Sequence, residues 1–230
     1  MDALQAYLKG KSYSHIIWDW NGTLLDDFAL CNELVCAELR SLGLPEVHPV
    51  SHRELFCFPI QQFYESLGFD FNLVSFEDIA NRYAEGHRKG VVHCKLFEEA
   101  EKFLEKTWEE GVSHSVLSAA HQSDLLAQVR HFGIEKYFSH IFGISDFYAV
   151  SKVQRGKELL QVWGVNPEET LLIGDTDHDL KVGNELGIDV LLIADGHQSF
   201  EKLCRVHKDV LQSRRGQNQN TDFRSLHAIQ

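Results

Sequence analysis

The chain has 230 residues, which is enough for one large domain or for one domain that carries a smaller insert. Its formal net charge of −12 argues against a general nucleic-acid binder, because phosphate backbones require clustered lysine and arginine. The five cysteines include no Cys-x-x-Cys pair, which indicates a reducing compartment, and no apolar run reaches the length of a membrane span. We therefore expect a cytoplasmic protein, monomer or homodimer, with neither nucleic acid nor membrane as partner.

Five short apolar runs are predicted to be buried strands. They cover residues 15–20 ("HIIWDW"), 113–119, 140–143, 170–175 and 189–194. Amphipathic helical patterns alternate with them, at residues 97–111, 122–133, 152–164 and 177–187. This order predicts an α/β fold, in which a Rossmann-like parallel sheet is the middle of three α/β/α layers.

The stretch between the first two predicted strands breaks the alternation. Residues 28–94 show helical patterns and no convincing strand, with a break at Pro59. The predicted helices cover residues 28–43, 52–58, 59–68 and 76–90. We therefore expect a core of residues 1–27 and 95–212, a helical cap of residues 28–94 and a flexible tail of residues 213–230.

Polar side chains that suit phosphate chemistry follow the predicted strands or begin the next helix. They are Asp19, Asn21, Ser118, Lys152, Asp175, Asp177 and Asp179. Because the carboxyl ends of parallel strands meet at one edge of a sheet, we expect these side chains to converge. Carboxylates suit Mg²⁺, a lysine and a hydroxyl suit phosphate oxygens, and an aspartate can attack phosphorus.

Four segments carry a resemblance to a known family. "IIWDWNGTLLDD", "SVLSAA", "SKVQRGK" and "LLIGDTDHDL" resemble the motifs of the haloacid dehalogenase-like superfamily, in its branch with a helical cap and its phosphoglycolate-phosphatase-like members. The resemblance covers residues 14–194 and implies a Mg²⁺-dependent phosphatase that acts on a small phosphorylated metabolite.

The resemblance also implies roles for individual residues. Asp19 would be the nucleophile and a metal ligand, joined by the Asn21 carbonyl and Asp175, with Asp179 acting through water. The catalytic residues would be Asp19, Asn21, Ser118 and Lys152, and the phosphate-binding residues Gly22, Thr23, Ser118, Ala119 and Lys152. From the cap we add Arg53, because a forked cation suits a carboxylate or a second phosphate.

The sequence departs from the family pattern at three positions. Asn21 stands where the family's phosphatases usually carry the acid/base aspartate. The motif lysine is followed by valine rather than proline, which leaves Lys157 as a rival to Lys152. Asp177 is an additional aspartate, and its position suits the start of a helix better than a metal site.

Asn21 keeps three functional hypotheses open. The first is a phosphatase that is slow because an amide neither takes up nor delivers a proton. The second is another reaction on the same scaffold, which is disfavoured because a phosphonatase requires a cap lysine and the predicted cap offers Lys89 alone, near its end. The third is a sensor that binds Mg²⁺ and a phosphorylated ligand without turnover. Deamidation at Asn21-Gly22, which would restore an aspartate, is a further hypothesis.

Overall fold

The computed structural model describes residues 3–144 and 152–213. Within these residues the strands are β1 (His15–Trp18), β2 (Leu25–Asp26), β3 (Lys95–Leu96), β4 (Ser113–His121), β5 (His140–Ile144), β6 (Thr170–Gly174), β7 (Asp189–Ile193) and β8 (Val210–Leu211). Six of these strands form one parallel sheet in the order β5-β4-β1-β6-β7-β8. The remaining two, β2 and β3, pair antiparallel.

The described residues contain ten α-helices. They are α1 (Ala3–Leu8), α2 (Phe28–Ser41), α3 (Pro49–Leu55), α4 (Ile60–Ser66), α5 (Phe76–Gly90), α6 (Glu98–Glu109), α7 (Gln122–His131), α8 (Lys152–Trp163), α9 (Asp177–Leu186) and α10 (Phe200–Cys204). Ile16 and Trp18 of β1 pack with α6 and α7, whereas Ile17 packs with α8 and α9 on the opposite face. This alternation follows from the two-residue period of a strand and confirms the predicted three-layer α/β/α fold.

The middle of the sheet determines where the site lies. β1 pairs with β4 on one side and with β6 on the other, and Trp18 is level with Val116 and Ile173. The next residue, Asp19, donates its amide to the Ile173 carbonyl at 2.9 Å. Because the strands are parallel and in this register, the residues that follow β1 and β6 and those at the end of β4 meet at one edge, as predicted.

Helices α2 to α5 form a unit with its own apolar core. Its buried members are Val35, Cys36, Leu39, Val47, Phe63, Tyr64, Phe69 and Ile79. The helix predicted at residues 52–58 is α3, which begins earlier, at Pro49, and ends at Leu55. Proline suits the first turn of a helix, and the side chain of His48 caps it by accepting a hydrogen bond from the Val50 amide.

The pair β2–β3 was missed from the sequence because two-residue strands are too short to show an alternating pattern. Leu25 pairs with Leu96 and Asp26 with Lys95, so the chain enters and leaves the helical insert side by side. The division into a core of residues 1–27 and 95–212 and a cap of residues 28–94 stays a prediction. Most of the predicted tail, residues 214–230, lies outside the described residues.

Over the described parts of the chain, no helix combines the length and the apolar character that a bilayer crossing requires.

Candidate active site

The loop after β1 folds around Asp175. Gly22 adopts φ +70°, and a Cβ at this position would lie 2.2 Å from Asp175 Oδ2. Thr23 Oγ1 donates a hydrogen bond to Asp175 Oδ1 at 3.3 Å. Glycine is therefore required here both for the left-handed backbone and for the close approach of the loop to a buried carboxylate. These contacts give Gly22 and Thr23 a part in shaping the loop, and their predicted contact with phosphate stays a prediction.

Three buried carboxylates lie together at this edge. Oxygen atoms of Asp19, Asp175 and Asp179 are all within 4.8 Å of one another. Burial raises the pKa of Asp19 to about 8, with Lys152 opposing this shift and Asp179 and Asp175 adding to it. An oxygen-only donor set with crowded negative charge fits Mg²⁺, which prefers such ligands.

Lys152 joins two of these carboxylates. It is the first residue of α8, is 3% exposed, and its Nζ donates to Asp19 Oδ1 and to Asp179 Oδ1. Although burial opposes it, these two carboxylates raise the pKa of Lys152, so the ammonium is charged. The rival Lys157 is exposed to solvent. The geometry therefore places Lys152, and not Lys157, beside Asp19.

Asp179 also organises the start of α9. Its Oδ2 accepts hydrogen bonds from the Thr176 amide at 3.0 Å and the Thr176 hydroxyl at 2.7 Å. The helix N-cap is Thr176, whereas Asp177 is the first helical residue and accepts a hydrogen bond from Gln198 Nε2 at 2.8 Å. Asp177 thus lies in the first turn as an acidic residue, outside the cluster of three carboxylates.

A cleft of about 320 Å³ opens between the helical insert and this edge of the sheet. Its lining residues are Phe58, Pro59, Ala119, Ile144, Lys152, His178 and Lys181. Ser118, beside Ala119, is buried, and its Oγ accepts a hydrogen bond from the Ala120 amide at 3.0 Å. A ligand in the cleft would thus meet Lys152 and the segment that follows Ser118.

Asn21 contacts a second buried cluster, centred on Asp27. Asn21 Nδ2 donates to Asp27 Oδ2 at 2.6 Å, and the Gly22 amide donates to Asp27 Oδ1 at 3.0 Å. His87 Nε2 of α5 lies 2.9 Å from Oδ2, and His197 Nε2 lies 3.4 Å from Oδ1. Although burial opposes it, His197 and His87 hold the pKa of Asp27 well below its usual value. Burial lowers the pKa of His197, but the hydrogen bond and the charge of Asp27 outweigh it and raise this pKa to about 9. Asp27 and His197 are therefore both ionised.

Sequence reasoning missed Asp27, His87 and His197. The one available signal was that Asp27 closes the "NGTLLDD" segment. The histidines lie 60 and 170 positions further along the chain, and no local pattern indicates that three such distant residues are buried together.

Arg53 connects the helical insert to the core. Its Nε donates to the Gly196 carbonyl at 2.8 Å, and its guanidinium lies 3.6 Å from the centre of the Phe28 ring. Gly196 itself packs against Asp175, since a Cβ there would lie 2.1 Å from Asp175 Oδ2. Arg53 therefore reaches the far side of the carboxylate cluster, and its predicted contact with substrate stays a prediction.

Known proteins resemble this chain over most of its length. A family model described as haloacid dehalogenase-like hydrolase matches residues 16–193. A 5'-nucleotidase from Pseudomonas aeruginosa is 29% identical over 202 residues, which cover 85% of this chain and 89% of the relative. A phosphoglycolate phosphatase from Aquifex aeolicus is 28% identical over 188 residues, covering 79% and 85%.

A solved structure shares the fold. A haloacid dehalogenase-like hydrolase from Streptococcus pneumoniae superposes with a TM-score of 0.75 at 21% identity, covering 86% of this chain and 93% of that protein. The family model spans more than half of the chain, and its match lies on the sheet and the carboxylate edge described above. The chain therefore belongs to the haloacid dehalogenase-like hydrolases.

Proposed function

We propose that the protein is a Mg²⁺-dependent phosphatase that hydrolyses a small phosphorylated metabolite through an aspartyl-phosphate on Asp19. The observation that carries this proposal is the buried contact of Asp19 with Lys152, a residue that also lines the cleft. A carboxylate beside a fixed ammonium suits attack on a phosphate whose oxygens the same ammonium binds. The relatives named 5'-nucleotidase and phosphoglycolate phosphatase are consistent with this reaction class.

The proposed reaction has two half-reactions. The Asp19 carboxylate attacks phosphorus, the bond from phosphorus to the leaving oxygen breaks, and that oxygen takes up a proton from solvent water. Water then cleaves the aspartyl-phosphate, which releases phosphate and restores the Asp19 carboxylate. Lys152 and the Ser118 hydroxyl bind the phosphate oxygens during both steps.

The residues that would hold Mg²⁺ are Asp19, Asp175 and Asp179, with the backbone carbonyl of Asn21. The bound ion would offset the repulsion between an anionic nucleophile and an anionic phosphate. Lys152 offsets part of the same negative charge, because its ammonium donates to Asp19 and to Asp179.

Asn21 limits the proton transfers that both half-reactions require. General acid/base catalysis typically contributes about 10²–10⁴-fold, and an amide cannot supply it. We therefore expect aryl and acyl phosphates, whose leaving groups need little protonation, to react much faster than alkyl phosphates. Equal rates for both classes would contradict this part of the proposal.

Phosphate release from a panel of phosphorylated metabolites, with and without Mg²⁺, tests the proposal. Asp19→Asn should lower the rate by about 10³-fold or more, because it removes the nucleophile. Asp177→Asn is the matched control, since it changes a carboxylate on the same edge that lies outside the cluster, and we expect it to retain activity. Equal release by wild type and Asp19→Asn would overturn the proposal.

A second candidate function is a sensor that binds Mg²⁺ and a phosphorylated ligand. The observation that favours it is Asn21, whose amide is bound to Asp27 and offers no proton. Absence of turnover, together with Mg²⁺-dependent thermal stabilisation by beryllium fluoride, would support this function over the first.

A further inference from the structure

Asp27 is a fully buried carboxylate that touches the nucleophile loop at two consecutive residues. Its side chain is 0% exposed. Oδ2 accepts from Asn21 Nδ2 at 2.6 Å, and Oδ1 accepts from the Gly22 amide at 3.0 Å. The two oxygens therefore fix both the side chain of Asn21 and the backbone of the residue after it.

These contacts determine the orientation of the Asn21 amide. A carboxylate accepts hydrogen bonds and does not donate them, so the amide atom that faces Asp27 must be the NH₂ group. The amide oxygen of Asn21 is consequently turned away from Asp27. Asn21 is half-buried, whereas Asp27 is fully buried.

The same carboxylate is tied to the helical insert. His87 is part of α5, and its Nε2 lies 2.9 Å from Asp27 Oδ2 and 3.5 Å from Asn21 Nδ2. Cys31 of α2 also donates to Oδ2, at 3.4 Å. Two helices of the insert therefore contact the group that holds Asn21, so the position of this amide depends on how the insert is seated.

We propose that Asp27 is a positioning residue that holds Asn21 with its amide oxygen presented to the hydrolytic water, from which this oxygen can accept a hydrogen bond. This inference rests on the proposed phosphatase function. Residues 21 and 27 act as a unit that contains one amide and one carboxylate. A second carboxylate at position 21 would lie about 2.6 Å from that of Asp27, and two buried like charges at this distance repel strongly.

The Asn21→Asp variant tests this role, because acid/base chemistry and the pairing with Asp27 predict opposite changes in kcat. Restoring an acid/base aspartate on its own would be expected to raise the rate by about 10²–10⁴-fold. We expect instead that Asn21→Asp lowers kcat about tenfold or more, and that Asp27→Asn also lowers kcat, because each breaks the amide–carboxylate pair. The double variant Asn21→Asp with Asp27→Asn restores one amide and one carboxylate, so its kcat should return at least to that of wild type, and an aspartate that acts as acid/base at position 21 would raise it further.

The experiment measures kcat and KM for wild type, both single variants and the double variant with an aryl phosphate and Mg²⁺. A positioning role predicts that kcat changes more than KM and that the double variant is rescued, which a merely structural role would not produce. Glu38→Gln is the matched control, because it removes a buried carboxylate that pairs with Arg82 within the helical insert, and we expect unchanged kcat. A folded Asn21→Asp variant with raised kcat, or a double variant no better than the worse single variant, would overturn the inference.

Failure of the proposed function is seen separately, as absence of turnover in wild type. In that event, urea unfolding of the same four proteins gives the coupling between positions 21 and 27. Strongly non-additive changes in the free energy of unfolding support the pairing of Asn21 with Asp27, and additive changes overturn it. If Asp27→Asn does not fold, the kcat of Asn21→Asp alone tests the inference, because the inference requires this kcat to be lower than that of wild type.

Discussion

Hydrogen bonds hold both the Gly22 amide nitrogen and the side-chain amide of Asn21. The Gly22 amide donates to the Leu25 carbonyl at 2.9 Å and to Asp27 Oδ1 at 3.0 Å. Asn21 Nδ2 is bound to Asp27 as well. Deamidation requires the Gly22 nitrogen to attack the Asn21 side-chain carbon, and these hydrogen bonds oppose that movement. The structure therefore disfavours the hypothesis that Asn21 converts spontaneously to an aspartate.

A comparison of Gly22 with Gly43 distinguishes the effect of close packing against Asp175 from the effect of a left-handed backbone. Both adopt a left-handed backbone, with φ of 70° and 69°, but a Cβ on Gly43 would meet no atom of the described residues within 4 Å. Each substitution by alanine should cost about 1 kcal/mol of unfolding free energy from the left-handed backbone. Gly22→Ala must also displace Asp175, so we expect it to lose most phosphate release, whereas Gly43→Ala keeps it. Urea unfolding and phosphate release check this, and equal activity of the two variants would contradict it.

Helix α10 fastens the carboxyl end of α3. Lys202 Nζ donates to the Glu54 and Phe56 carbonyls at 2.8 and 2.7 Å, and Gln198 Nε2 donates to Phe56 at 3.0 Å. The last carbonyls of a helix lack partners within the helix, so these donors satisfy them from the core. The carboxyl end of α3 is thereby bound to the core by three hydrogen bonds.

Removal of the Lys202 hydrogen bonds should increase local opening of α3 without unfolding the rest of the chain. Hydrogen bonds from a charged donor contribute about 1.5–3 kcal/mol, so Lys202→Met should speed amide hydrogen exchange in Pro49–Leu55 about tenfold or more. Lys208→Met is the control, because this lysine is exposed on the same segment. Exchange measured by mass spectrometry gives the answer, and equal exchange in the two variants would show that Lys202 does not hold α3.

Buried histidines make the stability of the whole molecule dependent on pH. Burial lowers the pKa of His15 to about 4, and of His52 and His114 to about 3. His114 Nδ1 accepts a hydrogen bond from Trp18 Nε1 at 3.1 Å, which requires the neutral ring. These histidines are neutral when folded and charged when unfolded below about pH 6.5, so the unfolded state binds more protons there. These three histidines therefore contribute a free energy of unfolding that falls as pH decreases from about 6.5.

The size of this effect can be measured at His114. Each such histidine contributes a slope of up to about 1.4 kcal/mol per pH unit, or about 2 kcal/mol between pH 7 and 5. His114→Gln keeps an acceptor for Trp18 but removes the titrating ring, so its loss of stability over this range should be about 2 kcal/mol smaller than in wild type. Exposed His93→Gln should follow wild type. Urea unfolding at pH 7 and pH 5 checks this, and identical losses in all three proteins would contradict it.

The alternation of apolar runs and helical patterns was sufficient to predict the α/β layers, whereas the family was predicted from the resemblance of four segments to known motifs. The layers depend on local periodicity and on the rule that parallel strands end at one edge, and the resemblance depends on short motifs, so both can be read without coordinates. The convergence of Asp19, Asp175, Asp179 and Lys152 follows from the same rule.

The environment of Asn21 depended on tertiary structure alone. Asp27, His87 and His197 meet because the β2–β3 pair, α5 and the loop after β7 fold onto one point, and such long-range contacts leave no local pattern. The sequence by itself determined that an amide stands two residues after Asp19. Only the fold decided that a buried carboxylate holds this amide, because burial and distance are properties of packed elements and not of neighbouring residues.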